Sequence, residues 1–178
     1  MPYTKTTWNP GAAPGISAAN LNNLETQYDE AMADSIVKVY KAADETINNS
    51  VVLQNDDDLL IPVEANEVCL FILTLKFISD TIADFKHIFT VPVAATLEGI
   101  QAMAARPATT PTLIDATAVM NHSLPAGAYP QTVGFTGFYL YIGGVNAGNV
   151  QLQWAQLAAV AQNCTVNIGS HLTKITLS

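Results

Sequence analysis

The sequence predicts a mainly β protein: an antiparallel, jelly-roll-like β-sandwich preceded by an N-terminal extended arm and a short amphipathic helix. Three observations carry that expectation. Beyond about residue 50, apolar and polar residues alternate in short runs, the period of a pleated strand with one covered face. About ten such runs follow one another at roughly 8–15-residue spacing, punctuated by Gly, Pro, Asn and Asp clusters, as in sandwiches of short strands. Ahead of them lie an aperiodic stretch, residues 1–16, and one stretch of helical period, residues 17–36. The chain thus divides into an arm and helix (1–36), a connector (37–50) and a β-sandwich domain (51–178). At 178 residues, one domain plus an appendage is the expected organisation.

The arm contains Trp8-Asn9-Pro10-Gly11 and Pro14-Gly15, two turn signals with no periodic segment between them. It is too short to bury its own apolar groups, so Trp8 and Ile16 need the body of the protein or another chain to cover them. Ser17 is a suitable N-cap, because its hydroxyl accepts from a free amide of the first helical turn. Ile16 and Leu21 are spaced as a hydrophobic staple. Leu21, Leu24, Tyr28, Ala31 or Met32, and Ile36 then recur at steps of three and four, one narrow apolar stripe. The stripe covers barely two heptads, too few for an isolated coiled coil. It either lies on its own domain or associates with copies of itself. The connector opens with a short strand, Val37-Lys38-Val39-Tyr40.

Three later segments have the strongest strand pattern. In Asn149–Gln156, Val150, Leu152 and Trp154 fall on one face and Gln151 and Gln153 on the other. In 67–77, Cys69, Phe71, Leu73, Leu75 and Phe77 share one face, while Val68, Leu70 and Ile72 occupy the opposite one. Half of that strand is apolar on both sides, as in a strand covered twice. One cover is the opposite sheet; a neighbouring subunit is a natural second. In 132–142 aromatics fall on both faces, and Gly134 and Gly137 mark a bulge or a close strand approach. Weaker strand patterns cover 51–54, 59–63, 84–91, 97–104, 112–116, 164–168 and 173–177. The separating turn signals include Asn55-Asp56-Asp57-Asp58, Arg106-Pro107, Leu124-Pro125-Ala126-Gly127 and the Gly143–Gly148 run.

Hydrophobic residues make up 49% of the chain and charged residues only 12%, about half the usual charged share. Mean hydropathy is +0.24. So little charge implies that much of the surface meets other subunits or is neutral and polar. The net charge is −8, and the seven Lys and Arg are scattered, so there is no basic patch to hold a phosphate backbone or an anionic membrane. Neither nucleic-acid binding nor membrane insertion is expected. The N-terminus has no apolar run of the secretory kind. The longest apolar run, Val68–Ile78, is broken by Thr74 and Lys76 and is too short to span a bilayer. The expectation is a chain made in a cytoplasm, with Cys69 and Cys164 as two buried free thiols.

Signs of catalysis are lacking. His87, His122 and His171 have no metal-ligand spacing with one another or with a Cys. His87 shares a strand face with Phe85 and Phe89 and reads as a core or interface histidine. Asp56-Asp57-Asp58 lacks the alternating ligands and glycine of a calcium loop and reads as a solvated hairpin turn. The chain has no Gly-x-Ser-x-Gly elbow, Walker loop or GxGxxG, and Gly143-Gly144 lacks the helix and Lys of a phosphate cradle. Nothing places Glu64 and Glu67 in a cleft. The expectation is a non-enzyme with no cofactor and no metal.

One stretch is more specific. Thr7-Trp8-Asn9-Pro10-Gly11, followed by Pro14-Gly15-Ile16-Ser17-Ala18-Ala19-Asn20-Leu21-Asn22-Asn23-Leu24-Glu25, resembles the N-terminal signature of bacteriophage fibre and minor virion structural proteins. Residues 42–62, Leu152-Gln153-Trp154-Ala155-Gln156 and Gly169-Ser170-His171-Leu172 resemble parts of their distal β domains. A Gly frequent in that family after the position of Glu25 is replaced here by Thr26-Gln27-Tyr28. The resemblance implies a protein of the virion whose arm and helix attach to the particle and whose β domain projects as a homotrimer. The primary reading is a tail or head fibre or spike that contacts a host surface glycan or protein. The alternative is a capsid decoration protein that stabilises the head without binding a receptor. Trp8, Ile16, Leu21, Leu24 and Tyr28 are the expected anchor and assembly residues. Asn121, His122, Tyr129 and Asn146 are candidates for surface binding in outer loops, because aromatic faces stack on sugars and amides bond hydroxyls without charge.

Overall fold

A computed structural model describes residues 22–29, 36–103, 114–122 and 132–177. Trp8, Ile16, Leu21 and Tyr129 lie outside them. The expected mainly β fold is observed, with two antiparallel sheets packed face to face. Among the described residues the strands are β1 (Ile36–Tyr40), β2 (Glu45–Asn48), β3 (Gln54–Val63), β4 (Val68–Ile78), β5 (Phe85–Thr90), β6 (Thr96–Met103), β7 (Ile114–Asp115), β8 (Met120–His122), β9 (Val133–Ile142), β10 (Gly148–Ala155), β11 (Asn163–Val166) and β12 (His171–Thr176). The larger sheet has eight strands in the order β1-β12-β4-β9-β6-β7, with β11 pairing the far end of β4 and adding β2. The smaller sheet has four, β3-β10-β5-β8.

Alternation places the core. The odd-numbered face of β4 (Cys69, Phe71, Leu73, Leu75 and Phe77) is fully buried, and so are Leu59, Ile61, Val150, Leu152 and Trp154 of the smaller sheet. Aromatic rings join the layers. Phe77 of β4 stacks on Phe85 of β5 at 4.1 Å between centroids, and Phe89 of β5 meets Tyr139 of β9 edge-on at 5.2 Å. The two glycines of β9 mark a close approach rather than a bulge, since the β4–β9 register runs unbroken from Val68↔Ile142 to Phe77↔Val133. A Cβ on Gly137 would lie 2.3 Å from the Tyr139 hydroxyl, so that glycine makes room for a buried phenol.

Three findings depart from the sequence expectations. Ile36, placed at the end of the helical stripe, is the first residue of β1, where it pairs with Ile175. Within the expected helical span, the described residues 22–29 are helical. The connector supplies the expected strand β1, but also β2, to the larger sheet, and β8 is a further short strand. Asp56-Asp57-Asp58 is not a hairpin turn but lies inside β3. There, Leu60 faces Gln151 and Asn55 faces Gln153, so the four residues 56–59 oppose the single residue Leu152. This wide bulge turns the Asp56 side chain inward, where it is 1% exposed. No helix among the described residues is long and apolar enough to cross a membrane.

Candidate functional site

Among the described residues, the outer face of the larger sheet is left uncovered. Side chains directly opposed across antiparallel strands share a face, so register sorts them into rows. One row runs Ile36, Ile175, Leu70, Leu140. The next contains Ile72, Phe138 and Ile100, and a third pairs Val68 with Ile142. Phe138, Leu140 and Ile142 are 45%, 44% and 50% exposed, whereas the inward residues of the same strand are buried. The smaller sheet covers only the inner face, and Lys38 and Glu98 flank these rows. Contiguous apolar surface rimmed by polar groups is characteristic of protein–protein contact. Beside it, Thr74, Lys76, Ala102, Gly134 and Thr136 line a depression of about 330 Å³.

The helix at 22–29 presents Leu24 and Tyr28 at 58% and 66% exposure, so this part of the stripe is not laid on the chain's own sandwich. Thr26 returns its hydroxyl to the Asn22 carbonyl at 2.8 Å. Of the surface-binding candidates, Asn121 is exposed on β8 opposite Lys86. Asn146 is exposed in the β9–β10 turn and donates to the Val93 carbonyl at 3.3 Å. These two sit at opposite ends of β5 and form no common site.

His122 is not an outer-loop residue. It ends β8 with its ring buried, stacked on His87 at 4.8 Å and on Phe135 at 4.9 Å. Three aromatic rings in contact recover more dispersion and burial than a solvated imidazole would. The Gln101 amide donates to His87 Nε2 at 2.9 Å. The His87 proton therefore sits on Nδ1 and is donated to His122 Nε2, also at 2.9 Å. Gln101 reaches the Tyr139 hydroxyl as well. Burial, reinforced by the neighbouring His122, holds His87 well below the ordinary imidazole range. His87 is thus the expected core histidine.

Among the described residues two cations are buried, a costly use of charge in a chain with so little of it. At one, Lys174 Nζ lies 2.9 Å from Glu67 Oε1 and 3.2 Å from the Pro62 carbonyl. The Thr176 hydroxyl also donates to Glu67 Oε1. Burial pushes the Glu67 carboxyl up, but Lys174, the backbone and Thr176 outweigh it and hold the group below its ordinary value.

At the other, Lys41 follows β1 at the edge of the larger sheet, its side chain 1% exposed. Its Nζ is 2.5 Å from Glu45 Oε2 of β2 and 3.1 Å from Asp56 Oδ1 of β3, with Asp58 Oδ2 at 3.7 Å. Asp56 Oδ1 accepts from the amides of Asp58 and Leu59 at 3.1 and 2.9 Å, and Oδ2 from Trp154 Nε1 at 3.2 Å. Glu45 is fixed by Gln54 Nε2 at 2.8 Å and by the Asp57 amide at 3.3 Å. Burial pushes the Lys41 ammonium down, but Glu45 and Asp56 more than restore it and keep it above its ordinary value. Sequence reading missed this cluster. Its one local signal is a lysine directly after a strand in a lysine-poor chain.

Cys69 and Cys164 are free, as expected, and burial pushes their thiols up to about 12 and about 11. The described residues contain no group of three or more His, Cys, Asp or Glu side chains arranged to hold a metal ion. Compared with known protein families and with curated proteins, the chain matches none.

Proposed function

We propose that this chain is a bacteriophage virion structural protein: a homotrimeric fibre or spike of tail or head, attached by its N-terminal arm, whose sandwich projects towards the host surface. Its role is structural rather than catalytic. The observation that carries the assembly part of this reading is the uncovered apolar face of β1, β12, β4, β9 and β6. A sandwich with one sheet face capped internally and the other apolar gains by associating with copies of itself. The choice of a virion, and of three copies, rests on the resemblance of residues 7–25 to the phage fibre signature. The exposed Leu24 and Tyr28 stripe supports the anchoring role, since an amphipathic helix off its own domain is available to a partner.

The test is the mass in solution. Light scattering or native mass spectrometry at micromolar concentration is expected to give three times the chain mass; a stable monomer of 19.0 kDa would overturn the reading. Electron microscopy of labelled particles then locates the protein on head or tail.

A further inference from the structure

We infer that Lys41 and Asp56 condense to an intramolecular isopeptide bond, with Glu45 as the proton carrier. The inference rests on the buried cluster alone and is independent of the assembly proposed above. The two groups are already in hydrogen-bonding contact, Nζ to Oδ1 at 3.1 Å, which holds the nitrogen beside the carboxyl group that it would attack. Both are dry, with side chains 1% and 0% exposed. The Asp56 carboxylate is held by three donors and Nζ by Glu45, while the Lys41 backbone is fixed by its amide's bond to the Ser170 carbonyl at 2.8 Å.

The surroundings fit acyl transfer. Three donors (the amides of Asp58 and Leu59 and the Trp154 indole) aim at the Asp56 carboxyl, where negative charge concentrates when the amine adds. Glu45 touches Nζ itself and is held in place by Gln54 and the Asp57 amide, so it can take one proton from the ammonium to free the amine for attack, pass it to the departing oxygen, and then carry the second in the same way.

The balance is simple. The starting pair is an ammonium and a carboxylate. The Nζ–Cγ bond forms and one Cγ–O bond breaks. Two of the three Nζ protons leave with that oxygen as water, the third stays on the amide nitrogen, and Glu45 ends in the state in which it began. Net charge is unchanged, and neither oxidant nor co-reactant is needed. The step removes a buried ion pair, whose desolvation is costly, and releases water from a dry site. The product would strap the β1 edge of the larger sheet to the β3 edge of the smaller, fastening the open side of the sandwich. Lys174 and Glu67 supply an internal contrast: the ion pair there is equally short, but the lysine has only that one carboxylate among the described residues and no proton carrier beside it. It is expected to remain ionic.

The experiment is the intact mass of the full-length protein, followed by tryptic mapping. The wild type is expected to weigh one water less than its sequence. Trypsin is expected not to cut after Lys41, leaving the peptide 39–76 intact and one water light. Lys41→Arg, which keeps the charge, is expected to restore the full mass, as is Glu45→Gln. A wild-type protein of full mass that trypsin cuts at Lys41 overturns the inference, whatever the variants do. A missing water that persists in Lys41→Arg overturns it too, by placing the dehydration elsewhere. Full loss of water in Glu45→Gln would remove Glu45 from the step.

Discussion

Glu67 and His87 both face the interior, yet their charge states are set by different neighbours. Glu67 has Lys174 beside it and stays ionised below its ordinary value of 4.5. Its folded form holds on to the charge, so the unfolded chain binds more protons as pH falls past about 4.5. The stability that Glu67 contributes is present above that point and is lost as pH drops through the folded value. His87 has no anion against it among the described residues, and burial with the neighbouring His122 holds it neutral well below its ordinary value of 6.5. The unfolded chain takes up a proton there that the folded chain refuses, so stability is already falling with pH below about 6.5. Urea unfolding across pH is expected to separate the two windows. His87→Gln flattens the slope that begins near 6.5, and Glu67→Gln flattens only the part below 4.5. Packing is the larger quantity. Phe77 is fully buried between Phe85 and Phe135, and Phe77→Ala is expected to cost about 3–5 kcal/mol in the same unfolding measurement.

At the scale of elements, β9 does two jobs with one alternation. Its inward residues Phe135, Tyr139 and Tyr141 fill the core, while Phe138, Leu140 and Ile142 point away from it. The outward three sit in register with β4 and β6, which turns single exposed residues into a surface. Phe138→Asp places a charge in the middle of that surface without touching the core. The variant is expected to fold with wild-type circular dichroism and to associate at least about tenfold more weakly, as sedimentation would show. A variant that assembles as the wild type does would mean that some other face makes the contact.

For the whole molecule, the described sandwich starts at β1, and the proposed anchor is the segment ahead of it. Ile36 pairs with Ile175, so a truncation that keeps it preserves the edge of the larger sheet. Deleting residues 1–35 is expected to leave a soluble, folded sandwich that no longer joins particles. Incorporation of the truncated protein at wild-type levels, measured by immunoblot of purified particles, would sink the anchor reading. Deleting further, through Tyr40, is expected to destabilise the sandwich, because it strips the β12 edge and moves Lys41 away from Asp56.

The sequence alone specified the fold class, the buried faces of β4 and β10, the two interior thiols and the covered, core-or-interface character of His87. All of these follow from local alternation, and a residue's period along its own strand is carried by the few residues around it. The tertiary structure alone decided the rest. Asp56 is an interior residue only because Lys41, fifteen positions away, supplies its counter-charge and Trp154 its indole. His122 is buried because β8 pairs with β5 and delivers its ring to His87 and Phe135. The second apolar face of β4 was visible as a pattern, but its union with β9, β6, β12 and β1 into one uncovered surface needed the strand order. A charge or a short strand acquires its place from groups that are distant in sequence, and the free energy of burying it is set by which of those groups arrive.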